Sequence, residues 1–111
     1  YLYGSSGNDT LMYAAGMAAI SGSGYLNELM LFDELHVHGG AGRDTAFLIA
    51  PSTGSHLEAA DNWAKLSDVM RSLMLDDFES VRALAPQGAR ATKHVQSVNY
   101  LLTMAGPWLE V

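Results

Sequence analysis

Apolar and polar residues alternate over short stretches of this chain, and each stretch stops at a cluster of Gly, Ser, Asn or Asp. "LHVH", Leu35 to His38, is the plainest case. Leu35 and Val37 fall on one face of an extended segment, His36 and His38 on the other, and the run ends at Gly39 and Gly40. The same reading predicts strands near 1–3, 10–14, 17–21, 28–32 and 34–38. One segment competes with it: "SLMLDDFESVRALA", Ser72 to Ala85, carries Met74, Phe78, Val81 and Ala85 at helical spacing and alone predicts an amphipathic helix.

Sliding the chain on itself addresses that conflict. A shift of 46 residues superposes Leu2 on Leu48, Leu11 on Leu57, Ala18 on Ala64, Leu29 on Leu75 and Phe32 on Phe78, among nine identities in 46 pairs. Random pairing at roughly 6 to 7% usage would give about three. Equivalent positions of a repeat share a backbone, so the strand-like "LFDELHVHGG" carries its partner with it, and a short helix in the second repeat remains the alternative. The chain divides into repeat 1 (1–46), repeat 2 (47–92) and a partial repeat 3 (93–111) of one domain. Forty-six residues make about two coils of roughly 23 residues each. The predicted fold is therefore all-β, a right-handed parallel β-helix or β-solenoid of short strands. Positions 2, 11, 18, 20, 29, 32, 35 and 37 and their 46-shifted partners point inward.

Composition narrows the partners. At 111 residues and 11.9 kDa the chain can bury one core, and with 49% apolar and 16% charged residues it should fold. A net charge of −6 repels nucleic acid and anionic lipid, and the lack of cysteine excludes disulfides and thiol chemistry. The longest apolar run, Tyr13 to Ile20, is too short to span a bilayer. The ends "YLYG" and "GPWLEV" read as those of a fragment cut from a longer chain.

"GGAGRDTAF", Gly39 to Phe47, matches the calcium-binding nonapeptide of toxin-type β-rolls, and "GSSGNDTLM", Gly4 to Met12, is a looser copy. In such arrays the Asp carboxylate and backbone carbonyls face an ion shared between stacked turns, which makes Asp9, Asn8 and Asp44 candidate calcium ligands. Two observations weigh against a site. Asp9 and Asp44 lie 35 residues apart rather than in consecutive nonapeptides, and the 46-residue shift sets Ser55 against Asp9 and Arg90 against Asp44. The alternative is that both aspartates cap their own turn backbone.

Other constellations are weaker. His36 and His38, with Glu34 on the same face, could hold a metal, but three ligands on one strand lie along a line, and solvated histidines are the plainer reading. Gly4–Gly7 and Ser21–Gly24 have the wrong spacing for a nucleophile elbow. Asp76 and Asp77, as neighbours on a strand, point to opposite faces and do not form a glycosidase pair. Trp63, Trp108, Tyr13, Tyr25 and Tyr100 either stack on a sugar or pack the core. No catalytic residue emerges, and the chain is not expected to be an enzyme.

The order of these motifs resembles the tandem repeats of very large secreted or surface proteins of planctomycete-type bacteria. The matching residues are Gly7, Asn8, Asp9 and Thr10; Gly22, Gly24, Tyr25 and Asn27; Phe32, Asp33 and Leu35; then Gly39, Gly40, Asp44 and Ala46. Ala50, Pro51 and Ser52 depart from the family's usual Asp-Ser turn. The resemblance implies an extracellular or cell-surface structural or interaction module, stabilised by calcium if its turns are ion sites. Its partners would be other repeats of its own chain, copies of itself, or an extracellular glycan or protein, without membrane insertion. The alternatives are a fragment of a carbohydrate-active β-helix protein, glycan-binding or lyase-like, and a self-stacking filament subunit.

Overall fold

In the computed structural model, which describes residues 2–14, 17–30, 33–50, 54–68, 71–88 and 90–110, the backbone follows the alternation. The strands are β1 (Leu2–Tyr3), β2 (Thr10–Ala14), β3 (Met17–Gly22), β4 (Tyr25–Met30), β5 (Glu34–His38), β6 (Thr45–Ile49) and β7 (Ser55–Asp61). They continue with β8 (Trp63–Ser67), β9 (Ser72–Asp76), β10 (Ser80–Leu84), β11 (Ala91–Val98), β12 (Leu101–Ala105) and β13 (Trp108–Glu110). No helix occurs among the described residues. The all-β expectation therefore holds, and the core alternates as anticipated: Leu11, Ala18, Ile20, Leu35 and Val37 are buried, as are Leu48, Leu57, Ala64, Leu66, Leu75, Phe78, Val81 and Ala83. Leu29 is only half-buried, and Phe32 and the side chain of Leu2 lie outside the described residues. The strand expected near 28–32 begins earlier, at Tyr25.

The helix-like spacing of Ser72 to Ala85 is a coincidence of two strands. Leu73 and Leu75 are buried from β9, Val81 and Ala83 from β10, and between them Asp77 takes a left-handed backbone (φ 57°) that restarts the alternation with Phe78 inside. Met74, the first residue of the helical reading, faces outward and is half-buried.

The strands form two mixed sheets. The first runs β1-β5-β9-β8-β7-β11-β13 and the second β12-β10-β6-β2-β3-β4. Most neighbours are parallel, but β2-β3-β4 and β7-β8-β9 are antiparallel meanders, which a purely parallel helix lacks. Loop length explains the difference. Ser23 and Gly24 alone join β3 to β4, and Asn62 alone joins β7 to β8, whereas a parallel crossover needs a dozen residues or so.

Five of the seven parallel pairings among the described residues recur at an offset of 35 to 38 residues, while β10–β12 and β11–β13 are 21 and 17 apart. Thr10 pairs with Thr45 and Thr45 with Ser80, both 35 residues on, and Ser55 pairs with Ala91. The connections that carry the chain from the first sheet to the second therefore stack as well: Gly4–Asp9, Gly39–Asp44 and Asp77–Glu79 lie in successive layers. Gly42 (φ 91°) sits where an added Cβ would lie 2.7 Å from the Gly7 carbonyl carbon of the turn below, whereas Gly88 (φ 86°) faces open space.

This contrast is testable by denaturant unfolding. Gly88→Ala meets only left-handed strain and should cost about 1 kcal/mol. Gly42→Ala adds steric overlap and should cost at least ~2 kcal/mol. Equal losses would argue that the two turns are not stacked.

Candidate functional site

The stacked turns bring the sequence's candidate residues together. Asp9 ends the first turn and Asp44 the second, so the 35-residue separation that argued against a shared site is the stacking offset itself. The pairings expected from the 46-residue shift are corrected here: the layers next to Asp44 carry Asp9 and Glu79, not Arg90, and the Arg90 carbonyl instead accepts the Ser55 amide.

Three acidic residues form a ladder. The Asp9 amide donates to Asp44 Oδ1 at 2.9 Å and the Asp44 amide to Glu79 Oε1 at 2.6 Å. In the opposite direction the Thr45 amide donates to the Asp9 carbonyl at 2.9 Å and the Glu79 amide to the Asp44 carbonyl at 3.0 Å. Asn8 serves the same stack, its Oδ1 accepting the Arg43 amide at 2.8 Å. Asp44, Glu79 and Asn8 thus cap the backbone of a neighbouring turn. The Asp9 side chain caps its own turn instead, accepting the Ser5 amide at 2.7 Å.

Asp9 and Asp44 are both buried but electrostatically unlike. Burial pushes the Asp9 carboxyl up, yet the Tyr25 hydroxyl (2.5 Å), the Ser5 hydroxyl (2.8 Å) and the Ser5 amide together hold it below the usual carboxylate range. Tyr25 is pushed up in turn to about 12 by burial and by its bond to Asp9. Asp44 receives the Asp9 amide on one oxygen only, and its buried Oδ2 has no hydrogen-bond partner. Burial and the charges of Asp9 and Glu79 lift its pKa to about 7.

Calcium fits this donor set poorly. It asks for six to eight oxygens, whereas the oxygens of Asp9 and Asn8 already accept from N–H and O–H donors, and Asp44 Oδ2 is the one buried carboxylate oxygen among the described residues without a partner.

The histidines are placed differently. Glu34, His36 and His38 share the outer face of β5, as expected, but Glu34 is not in the group of side chains that converge on His38. Asp76 on β9 joins them instead: His36 Nε2 lies 2.7 Å from its Oδ2, and His38 Nδ1 contacts its Oδ1. Asp77 approaches as well, its Oδ2 3.4 Å from His38 Nε2. Neighbours on a continuous strand would diverge, but Asp77 follows the strand end and its left-handed backbone turns it back. Nothing in the local spacing signals this. The acid ladder did leave a signal, since Asp9-Thr10, Asp44-Thr45 and Glu79-Ser80 recur every 35 residues.

Tyr13 is in the core, Tyr25 binds Asp9, the Tyr100 hydroxyl donates to the Trp63 carbonyl at 2.7 Å, and the Trp108 indole donates to the Ala105 carbonyl. Ser21–Gly24 closes the β3–β4 hairpin, with Gly24 left-handed. No family model matches the chain, and neither curated proteins nor solved structures yield a match.

The two aspartates give stability a pH optimum. Asp44's folded pKa is raised from 3.8, so its contribution is full below about 3.8 and is lost as pH rises to about 7. Asp9's is depressed, so its contribution is present above 3.8 and is lost as pH falls through the lower folded value. The two contributions overlap around their common unfolded value, so thermal melts should peak near pH 3.8. Asp44→Asn, neutral at every pH, should abolish the decline from pH 4 to 7. A variant that keeps that decline would remove Asp44 as its source.

Proposed function

We propose that the chain is a structural or interaction module of a secreted or cell-surface protein, a β-solenoid built from a 46-residue unit that continues by stacking on another repeat or copy. The observation that carries this reading is a strand-for-strand correspondence. Shifting β2, β3, β4, β5 and β6 by 46 residues lays them on β7, β8, β9, β10 and β11. Each strand lands in the opposite sheet, and each pairing keeps its sense: the meander β2-β3-β4 becomes β7-β8-β9, and β2 parallel to β6 becomes β7 parallel to β11. A unit that alternates between sheets supports growth along one axis.

The edges support it too. β9 pairs along its outer side with β5, a strand of the other unit, while its counterpart β4 has no strand on that side among the described residues. β4 carries Leu26 and Met30, and the other terminal strands β1, β12 and β13 carry Tyr3, Leu101 and Leu109, each at least 59% exposed. Open edges with exposed apolar residues favour strand addition. Acid-ladder hydrogen bonds, rather than calcium, hold the layers in this reading. The secreted setting rests on the sequence resemblance.

Sedimentation of the chain from about 10 μM to 1 mM should give a mass that rises with concentration, a range chosen for weak edge pairing. Leu26→Lys with Met30→Lys should suppress the rise by charging the β4 edge. A mass that stays monomeric throughout would sink the stacking proposal. Melts in millimolar calcium and in chelator should coincide, and a midpoint raised by calcium would restore the ion-stabilised alternative.

A further inference from the structure

The outer face of the first sheet holds a group of side chains that neither the core nor the acid ladder uses. We propose that His38, Asp76 and Asp77 bind one divalent transition-metal ion of the zinc class, with His36 and Asn62 positioning the two carboxylates. One nitrogen of His38 and one oxygen from each aspartate lie within 4.8 Å of one another, close enough to converge on one ion after small adjustments. The three side chains are 41%, 23% and 41% exposed, so an ion and completing waters can reach them.

The arrangement around the three ligands resembles a prepared site more than a chance cluster. Asp76 has Oδ2 bound by His36 Nε2 at 2.7 Å, which leaves Oδ1 toward His38. Asp77 has Oδ1 bound by Asn62 Nδ2 at 2.9 Å, which leaves Oδ2 toward His38. Each carboxylate is thus anchored through one oxygen and offers the other, the way outer partners orient metal ligands. Asp77 holds a left-handed backbone, and so does Asp61, the neighbour of Asn62 (φ 46°). The Asp77 amide is bonded to the Asn62 carbonyl at 3.1 Å, so both departures from ordinary backbone meet at this point. An imidazole with two carboxylates suits zinc and its neighbours better than calcium, which takes oxygen alone.

The row across the sheet supplies a reporter. Tyr3, His38, Asp76 and Trp63 occupy paired positions on β1, β5, β9 and β8, so Trp63 shares the outer face beside Asp76, while the second tryptophan lies on β13. In a Trp108→Phe background, Co²⁺ at pH 7.5 should quench Trp63 fluorescence with one-to-one stoichiometry. Zn²⁺ should compete for the same site in calorimetry, and millimolar Ca²⁺ should not. Asp77→Asn, which keeps a residue tolerant of the left-handed backbone, should weaken Zn²⁺ by at least tenfold, and His38→Ala should abolish binding. His36→Gln should weaken it by roughly 10- to 100-fold through Asp76. His56→Ala and His94→Ala should leave it unchanged. Absence of Zn²⁺ binding by the intact chain, or binding undiminished in both folded Asp77→Asn and His38→Ala, would overturn the proposal and leave these residues as ion pairs between β5 and β9.

Discussion

Two stacked turns of this protein are each held by an acidic side chain from the next. Asp44 accepts the amide of Asp9, Glu79 accepts the amide of Asp44, and carbonyl bonds run back the other way. These bonds fix where the chain crosses from one sheet to the other, and a crossing fixed in successive layers sets the register of β2, β6 and β10 at 35 residues. A slip of one residue would turn Leu11, Ala46 and Val81 out of the core together. Register, core and turn are therefore a single constraint. Its cost is concentrated at Asp44, a buried carboxyl with one oxygen unsatisfied, which the fold accommodates by favouring the protonated form.

Two periods coexist, and they describe different things. The offset of 35 is the lateral distance between paired strands, while the shift of 46 carries one unit onto the next and exchanges the sheets. Apolar spacing along the sequence reports the second, since it depends only on which face of a strand is buried. This is why Leu48, Leu57, Ala64, Leu66, Leu75, Phe78, Val81 and Ala83 were legible as core from their partners 46 residues earlier. Stacking is not written in that pattern. Reading the 46-residue shift as the layer spacing set Arg90 against Asp44 and hid the acid ladder, although the spacing of Asp9, Asp44 and Glu79 was there to be read.

Two further misreadings, the helix over Ser72 to Ala85 and the divergence of Asp76 and Asp77, share one cause, the backbone of a single residue. With Asp77 extended, Ser72 to Ala85 would be one strand or a helix, and Asp76 and Asp77 would face apart. At φ 57° it ends β9, restarts the alternation at Phe78 and returns its own carboxylate toward His38. Aspartate tolerates this region better than most residues, but nothing in its neighbours requires it to go there. The decision comes from tertiary partners, the Asn62 carbonyl and side chain, which are fifteen residues away in the chain.

That residue also links the two groups of polar side chains. The first and second turns span six residues each, Gly4–Asp9 and Gly39–Asp44, and their glycines supply the close approach of layer to layer. The third turn, Asp77–Glu79, has three. It must still deliver Glu79 to the Asp44 amide, and it does so with Asp77 in the left-handed conformation and its carbonyl against Gly39. Shortening the turn therefore moves a carboxylate onto the outer face of the first sheet, next to the histidine pair of β5. In the second layer the corresponding turn begins with Gly39 and Gly40, which carry no side chain to offer, so the histidine cluster belongs to the level where the glycine-rich turn gives way.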